Sequence, residues 1–177
     1  LLALCLVVTS LQAALISDIT FTLNEAGTEY SVTDCNNSAT GELVIEEFHE
    51  GLPVTSIDTE AFDYCERLTS IVIPESVVSI GDYAFKRCTI LTNINIPSAI
   101  TFIPEGAFQN CTSLTNITIP GSVVTIGNSA FAQCTGITDV SISNGVSYIQ
   151  ESAFQGCSSL TSICLLYTSP SPRDSVV

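Results

Sequence analysis

Five cysteines, Cys65, Cys88, Cys111, Cys134 and Cys157, recur at one fixed interval. Five phenylalanines keep step with them, Phe62, Phe85, Phe108, Phe131 and Phe154, each preceded by an alanine. This period restricts the fold more than any other feature. A unit as short as the step from Cys65 to Cys88 has too little chain to bury its own apolar side, so successive units must stack and bury it jointly. Four full units read "LTSIVIPESVVSIGDYAFKRCTI", "LTNINIPSAITFIPEGAFQNCTS", "LTNITIPGSVVTIGNSAFAQCTG" and "ITDVSISNGVSYIQESAFQGCSS". A further unit begins at Leu160 with "LTSI".

Each stretch of the unit has a physical reading. Leu68, Ile71 and Ile73 are spaced to face inward, and the alternation in "IVI" predicts a short half-buried strand. Pro74 lacks a backbone donor and ends it. "SVVSI" predicts a second extended piece with Val77 and Ile80 inward, and Gly81 permits a turn. "DYAFKRC" is expected to close the coil as a helical turn with Ala84, Phe85 and Cys88 inward. Stacking sets like on like, giving the rungs Ile71/Ile94/Ile117/Val140, Ile73/Ile96/Ile119/Ile142, Val77/Ile100/Val123/Val146 and Ile80/Ile103/Ile126/Ile149. Neighbouring strands then lie about 4.8 Å apart. The expected fold is α/β but β-rich: a right-handed solenoid of 23-residue coils with short parallel strands and short helical turns, over residues 43–163. The preceding "ITFTLNEAGTEYSVTDC" reads as two strands joined at "NEAG", a β-hairpin cap within residues 15–42. "GELVIEEFHEGLPVTSIDTEAFDYC" reads as a degenerate first coil, as terminal units of solenoids are.

The repeating pattern L-T-x-I-x-I-P-x-S-V-x-x-I-G-x-x-A-F-x-x-C resembles the BspA-like, or Treponema-type, leucine-rich repeat. The resemblance implies a leucine-rich repeat solenoid in secreted or surface proteins of bacteria and some anaerobic protists. It implies a role in binding proteins or host surfaces, sometimes as an adhesin. The fourth unit departs from the pattern at Ser143, in place of Pro, and Gln150, in place of Gly, which leaves its turn geometry open.

The chain carries four Lys plus Arg against eighteen Asp plus Glu, a net charge of -14 in 177 residues. That balance argues against nucleic acid and anionic lipid as partners, because phosphates are held by Lys and Arg. The acid is concentrated between Glu25 and Glu66, and Glu46, Glu47 and Glu50 form a cluster that reads as a guard against end-to-end association or as a cation or partner site. The opening "LLALCLVVTSLQAA", residues 1–14, reads as part of a secretory signal peptide, with cleavage expected after Ala13 or Ala14. Export would allow disulfides, Cys35 with Cys65 among the candidates, and glycosylation at the sequons Asn36, Asn110 and Asn116. Residues 164–177, "CLLYTSPSPRDSVV", leave the repeat in mid-strand. They resemble translated sequencing-adapter read-through, the other reading being a Ser/Pro linker.

The chemistry on offer is sparse. Lys86 and Arg87 beside Cys88 suggest an activated thiol. Its recurrence in "EGAFQNC", "NSAFAQC" and "ESAFQGC" without those cations makes it a packing residue instead. No paired cysteine spacing suits zinc. His49, the only histidine, sits in "EEFHEG", expected as an exposed loop, and no nucleophile or glycine-rich phosphate loop accompanies it. No cofactor, no metal and no catalytic residue are expected. The more informative positions point outward from the first strand of each coil: Ser70 and Val72, Asn93 and Asn95, Asn116 and Thr118, Asp139 and Ser141. These vary while the inward positions stay constant. A solvated sheet face and a hydrogen-bonding recognition surface both fit. The functional expectation is an exported, non-catalytic protein for protein recognition or adhesion at a cell surface, without insertion of the mature segment into a membrane. The alternative is the recognition part of a longer membrane-anchored or enzyme-bearing protein.

Overall fold

The structure, a computed structural model, describes residues 14–166. The signal-peptide and tail expectations therefore fall largely outside the described residues. After a short 3-10 helix (Ile16–Asp18), strands β1 (Ile19–Leu23) and β2 (Tyr30–Cys35) form an antiparallel hairpin. Next come β3 (Gly41–Val44), β4 (Phe48–His49) and β5 (Leu52–Ile57). From there each coil supplies one strand to each of two ladders. The first ladder takes β6 (Leu68–Val72) and β8 (Asn93–Ile94), and the second takes β7 (Ser79–Ile80) and β9 (Phe102–Ile103). The alternation continues with β10 (Asn116–Ile119), β11 (Thr125–Ile126), β12 (Asp139–Ser143), β13 (Tyr148–Ile149) and β14 (Ser162–Leu166). All ladder pairs between coils are parallel. The hairpin joins the second ladder through the parallel pair β2–β5.

The rungs form as the period requires. Asn116 stands opposite Asp139 and Ile119 opposite Ile142, an offset of one full coil. Leu68, Leu91, Leu114 and Ile137 are wholly buried, as are Phe62, Phe85, Phe108 and Phe131. The phenyl rings from Phe62 to Phe154 stack in parallel with centroids 5.1–5.3 Å apart. In the fourth coil the rungs are less covered: Ile149 is 50% exposed, and Val146 and Phe154 only border the core.

The closing stretch differs from the helical turn expected of it. Within a coil it is a run of tight turns, with Ala84 N–H bonded to Gly81 C=O, Lys86 N–H to Tyr83 C=O and Cys88 N–H to Phe85 C=O. The intervening donors leave the coil altogether. Tyr83, Phe85 and Arg87 donate to the carbonyls of Glu105, Ala107 and Gln109 at 2.8 Å each. A helix would direct every N–H along its own axis. Here left-handed residues at Tyr83 (φ 57°) and Arg87 (φ 60°) turn alternate donors toward the next coil. The same two positions are left-handed in every coil: Glu60 and Tyr64, Gly106 and Asn110, Ser129 and Gln133, Ser152 and Gly156. A non-glycine residue held there costs about 1–2 kcal/mol, which the inter-coil bonds offset.

Gly81 answers to a different need from the one its sequence context suggests. Its φ is not positive; a Cβ there would lie 2.3 Å from the Thr59 backbone nitrogen. Gly127 is similar, 2.7 Å from the Ile103 carbonyl oxygen. The fourth coil keeps its turn despite its departures. Gln150 N–H still bonds Ile126 C=O at 2.9 Å, and without proline the strand runs on through Ser143.

Pairing with β12 also carries β14 past Ile163, through Cys164 to Leu166. His49 is not on an exposed loop. It lies in β4, paired with β5, and stacks on Phe21 with centroids 4.0 Å apart and edge-on to Tyr30 at 4.8 Å. The imidazole face is covered there by aromatic rings, and its Nδ1 lies 2.5 Å from Glu46 Oε1.

Two substitutions test this packing. Phe108→Ala removes the middle ring of the stack and is expected to cost about 3–5 kcal/mol, read as a lowered urea midpoint against little change for Thr115→Ala. Gly127→Ala pushes a methyl against backbone that cannot yield and is expected to lower the melting temperature, whereas Gly121→Ala, whose methyl would meet only Ser143 Cβ at 3.7 Å, would not.

Candidate recognition face

The cysteines form a column that bonds one coil to the next. From Cys88 onward each cysteine of the column donates to the phenylalanine carbonyl of the preceding coil: Cys88 Sγ to Phe62 at 3.3 Å, Cys111 to Phe85 at 3.1 Å, Cys134 to Phe108 at 2.9 Å and Cys157 to Phe131 at 3.1 Å. A thiol is a weak donor, yet here it adds a contact between coils beyond the space it fills. Burial, ahead of nearby negative charge, pushes the Cys88 thiol well above its usual range. The half-buried Cys157 is pushed up to about 11, again mainly by burial. Lys86 and Arg87 do not oppose this, since each covers a tyrosine ring, Lys86 over Tyr83 at 5.0 Å and Arg87 over Tyr64 at 4.4 Å. The seven described cysteines are free thiols, Cys35 and Cys65 included; Cys65 Sγ lies 3.7 Å from Cys35 C=O.

The acidic cluster near the cap is partly engaged. Glu46 meets His49, and Glu50 accepts a hydrogen bond from Tyr30 OH at 2.8 Å. Among the described residues no three of His, Cys, Asp and Glu come together as a metal site. No helix there is long and apolar enough to cross a membrane.

The first-strand face brings the outward residues into one surface. Asn93, Asn116 and Asp139 are exposed, Ser70 and Ser141 partly so, and Val72 is 37% exposed. Thr118 is exposed beside them. Asp139 is held by Ser162 Oγ on Oδ1 at 2.6 Å and by Thr138 Oγ1 on Oδ2 at 2.8 Å, which keep its carboxyl below the usual carboxylate range. Asn95 is different, because its carboxamide is committed to the neighbouring coil. Its Oδ1 accepts from Ile73 N–H and its Nδ2 donates to Ile73 C=O, both at 2.8 Å. Backbone pairing between these coils stops at Ile94, and the side chain takes over from there.

Both ladders open around this coil. On the first, β8 pairs with β6 but not with β10, and among the described residues no backbone hydrogen bond joins 91–97 to 114–120. On the second, β9 does not pair with β7, where Pro104 offers no N–H in the position of Gly81. The opening on the first face is a cleft of about 240 Å³ lined by Asn93, Asn95, Asn116, Thr118 and Pro120, with Ile94, Ile96 and Ile117 beneath. Four expected recognition residues thus meet at one cleft, which periodicity alone does not foretell, since periodicity predicts every junction to be alike. A second concavity of about 430 Å³ lies between cap and solenoid, lined in part by Thr33, Ser56, Thr59 and Ser79. Its residues come from three separate elements, and no motif announced it.

Of the sequons, Asn36 accepts from Ser38 N–H and Oγ. Asn110 is half-buried and left-handed. Asn116 stands at the cleft.

Comparison with known proteins agrees with the geometry. The family model of the BspA type leucine rich repeat region matches six copies over residues 55–169. A leucine rich repeat protein of T. pallidum is 31% identical, with a TM-score of 0.79 over 86% of this chain and 71% of its own. A leucine rich cell surface protein of Faecalibacterium prausnitzii is 34% identical, with a TM-score of 0.79 over 86% of this chain and 39% of its own. A leucine-rich repeat protein of Bacteroides capillosus is 28% identical, with a TM-score of 0.60 over 78% of this chain and 99% of its own. No curated protein matches the chain.

The thiol column yields a paired prediction. With native protein at about pH 8, below the raised thiol range, iodoacetamide followed by peptide mapping should modify Cys164 and leave Cys88 and Cys111 intact until denaturant is added. The unfolded thiols ionise above about pH 8.5 while the folded ones stay protonated. The folded state then binds more protons, and stability falls as pH rises past that value, read as a urea midpoint that drops less in Cys88→Ala.

Proposed function

Since the chain belongs to the BspA type leucine rich repeat family, we propose that it is a secreted or cell-surface protein that recognises other proteins through its first-strand face and has no catalytic role of its own. One observation carries the reading: the outward residues of four successive first strands, Ser70, Asn93, Asn116, Thr118, Asp139 and Ser141 among them, are polar and solvent-accessible, and a cleft opens where the second and third of these strands part. Polar side chains that both donate and accept suit a partner's main chain and amide groups, and rigid strands hold them without a further ordering cost. The cell-surface relative in Faecalibacterium prausnitzii supports placing the protein outside the cell. The net charge of -14 supports a partner that is neutral or basic rather than a nucleic acid. Val72 and Asn95 enter this surface differently from their neighbours, Val72 as an apolar contact and Asn95 through the backbone it holds. A glycan at Asn116 would cover the cleft, so occupancy of that sequon and binding exclude each other.

Capture of cell-surface proteins by immobilised protein tests the reading. Asn93→Arg combined with Thr118→Arg places two bulky charges on the face and leaves the Asn95–Ile73 bridge alone. The partners captured by the parent are expected to be lost from this variant at unchanged melting temperature. Equal capture by both proteins removes the face from the account.

A further inference from the structure

We infer that the cleft between the second and third full coils is a seat for a primary carboxamide, the side chain of a glutamine or asparagine on a partner protein. The inference deepens the recognition reading above and rests on it. The chain itself supplies the pattern. At the preceding junction the Asn95 carboxamide meets the N–H and C=O of one residue, Ile73, with two bonds of 2.8 Å. One coil later, the residue in the place of Ile73 is Ile96, and the residue in the place of Asn95 is Thr118. Threonine carries one hydroxyl on a short stem and cannot present a donor and an acceptor side by side. Neither the N–H nor the C=O of Ile96 reaches a partner among the described residues, and the ladder that elsewhere satisfies such groups is open here. Ile96 lines the cleft together with Asn93, Asn95, Asn116 and Thr118. Ile96 is only 8% exposed, so solvent compensates its backbone pair poorly, and a group that fills both valences gains more here than on an ordinary strand face.

The arrangement selects its ligand by chemistry. An extended residue shows its N–H and C=O side by side on one edge. A primary carboxamide answers with one acceptor and one donor on the same side of a single carbon. A carboxylate offers two acceptors and would face the Ile96 carbonyl with like charge. Guanidinium and ammonium groups offer donors alone. A single trans peptide unit points its N–H and C=O in opposite directions and meets only one of the two. An extended partner residue could meet both, but that mode would engage a glutamine peptide and its glutamate twin alike. Among the described residues no charged side chain lines the cleft, so no part of it compensates an ionised ligand.

The test uses full-length 15N-labelled protein and two peptides, Ac-Ala-Gln-Ala-NHMe and its glutamate twin, whose methylamide cap removes any other primary carboxamide. The glutamine peptide is expected to shift the Ile96 amide resonance saturably in the millimolar range. The glutamate peptide should bind at least about tenfold more weakly. In Thr118→Asn the chain fills the seat from within. Its Ile96 resonance should be displaced before any peptide is added, and it should no longer respond. An Ile96 amide that ignores the glutamine peptide, or responds equally to both, overturns the proposal on the parent protein alone, whether or not the variant folds. If capture of cell-surface proteins persists in that case, only the carboxamide seat is lost and the recognition reading stands.

Discussion

The turn side of each coil holds the solenoid together. There, three N–H groups of each coil donate to carbonyls of the next, and the series repeats from Glu60, Phe62 and Tyr64 to Ser129, Phe131 and Gln133 without a gap. The phenylalanine at the centre of each set joins three interactions at once. Its N–H bonds the next coil, its carbonyl receives the cysteine thiol of that coil, and its ring lies in the stack. Polar satisfaction and apolar burial therefore enforce the same one-coil offset, and a slip of a single position would lose both. This continuous seam lets the strand ladders open elsewhere without loss of the stack.

That division explains where a binding feature can arise. Both breaks in the strand ladders flank the second full coil: on the second ladder Pro104 lacks the donor, and on the first the carboxamide bridge that Asn95 makes to Ile73 at the preceding junction has no counterpart at Thr118. The seam behind them remains paired from Tyr83, Phe85 and Arg87 through Gly106, Phe108 and Asn110. A rigid repeat thus carries one irregular coil, and that irregularity falls on the outward face where the side chains vary.

Much of the fold is legible in the sequence because stacking converts a period directly into contacts. Cys65 to Cys157 and Phe62 to Phe154 set the coil length, and Leu68, Ile71 and Ile73 set the inward face. The turns are not legible. Left-handed positions announce themselves when glycine occupies them, as at Gly106 and Gly156, but Tyr83, Arg87 and Gln133 carry no such mark. The closing stretch, with Ala84, Phe85 and Cys88 at a spacing that suits one face of a helical turn, therefore reads as helical, while the neighbouring coils reclaim its donors. Cys88 looks activated beside Lys86 and Arg87 until the fold turns both cations onto tyrosine rings. The outward positions of the first strand follow as a set from the alternation, but nothing in it distinguishes Asn95 from Asn93. Only the three-dimensional arrangement reveals that the Asn95 amide bridges to Ile73.

Native-state hydrogen exchange measured amide by amide tests most directly the idea that the turn seam, rather than the strand ladders, holds the coils in register. The N–H groups of Phe85, Phe108 and Phe131 are expected to exchange only on global unfolding, whereas Ile96 N–H, which has no partner among the described residues, exchanges far faster. Uniform protection of Ile96 and the phenylalanine amides, or faster exchange at the seam than along the strands, would contradict it.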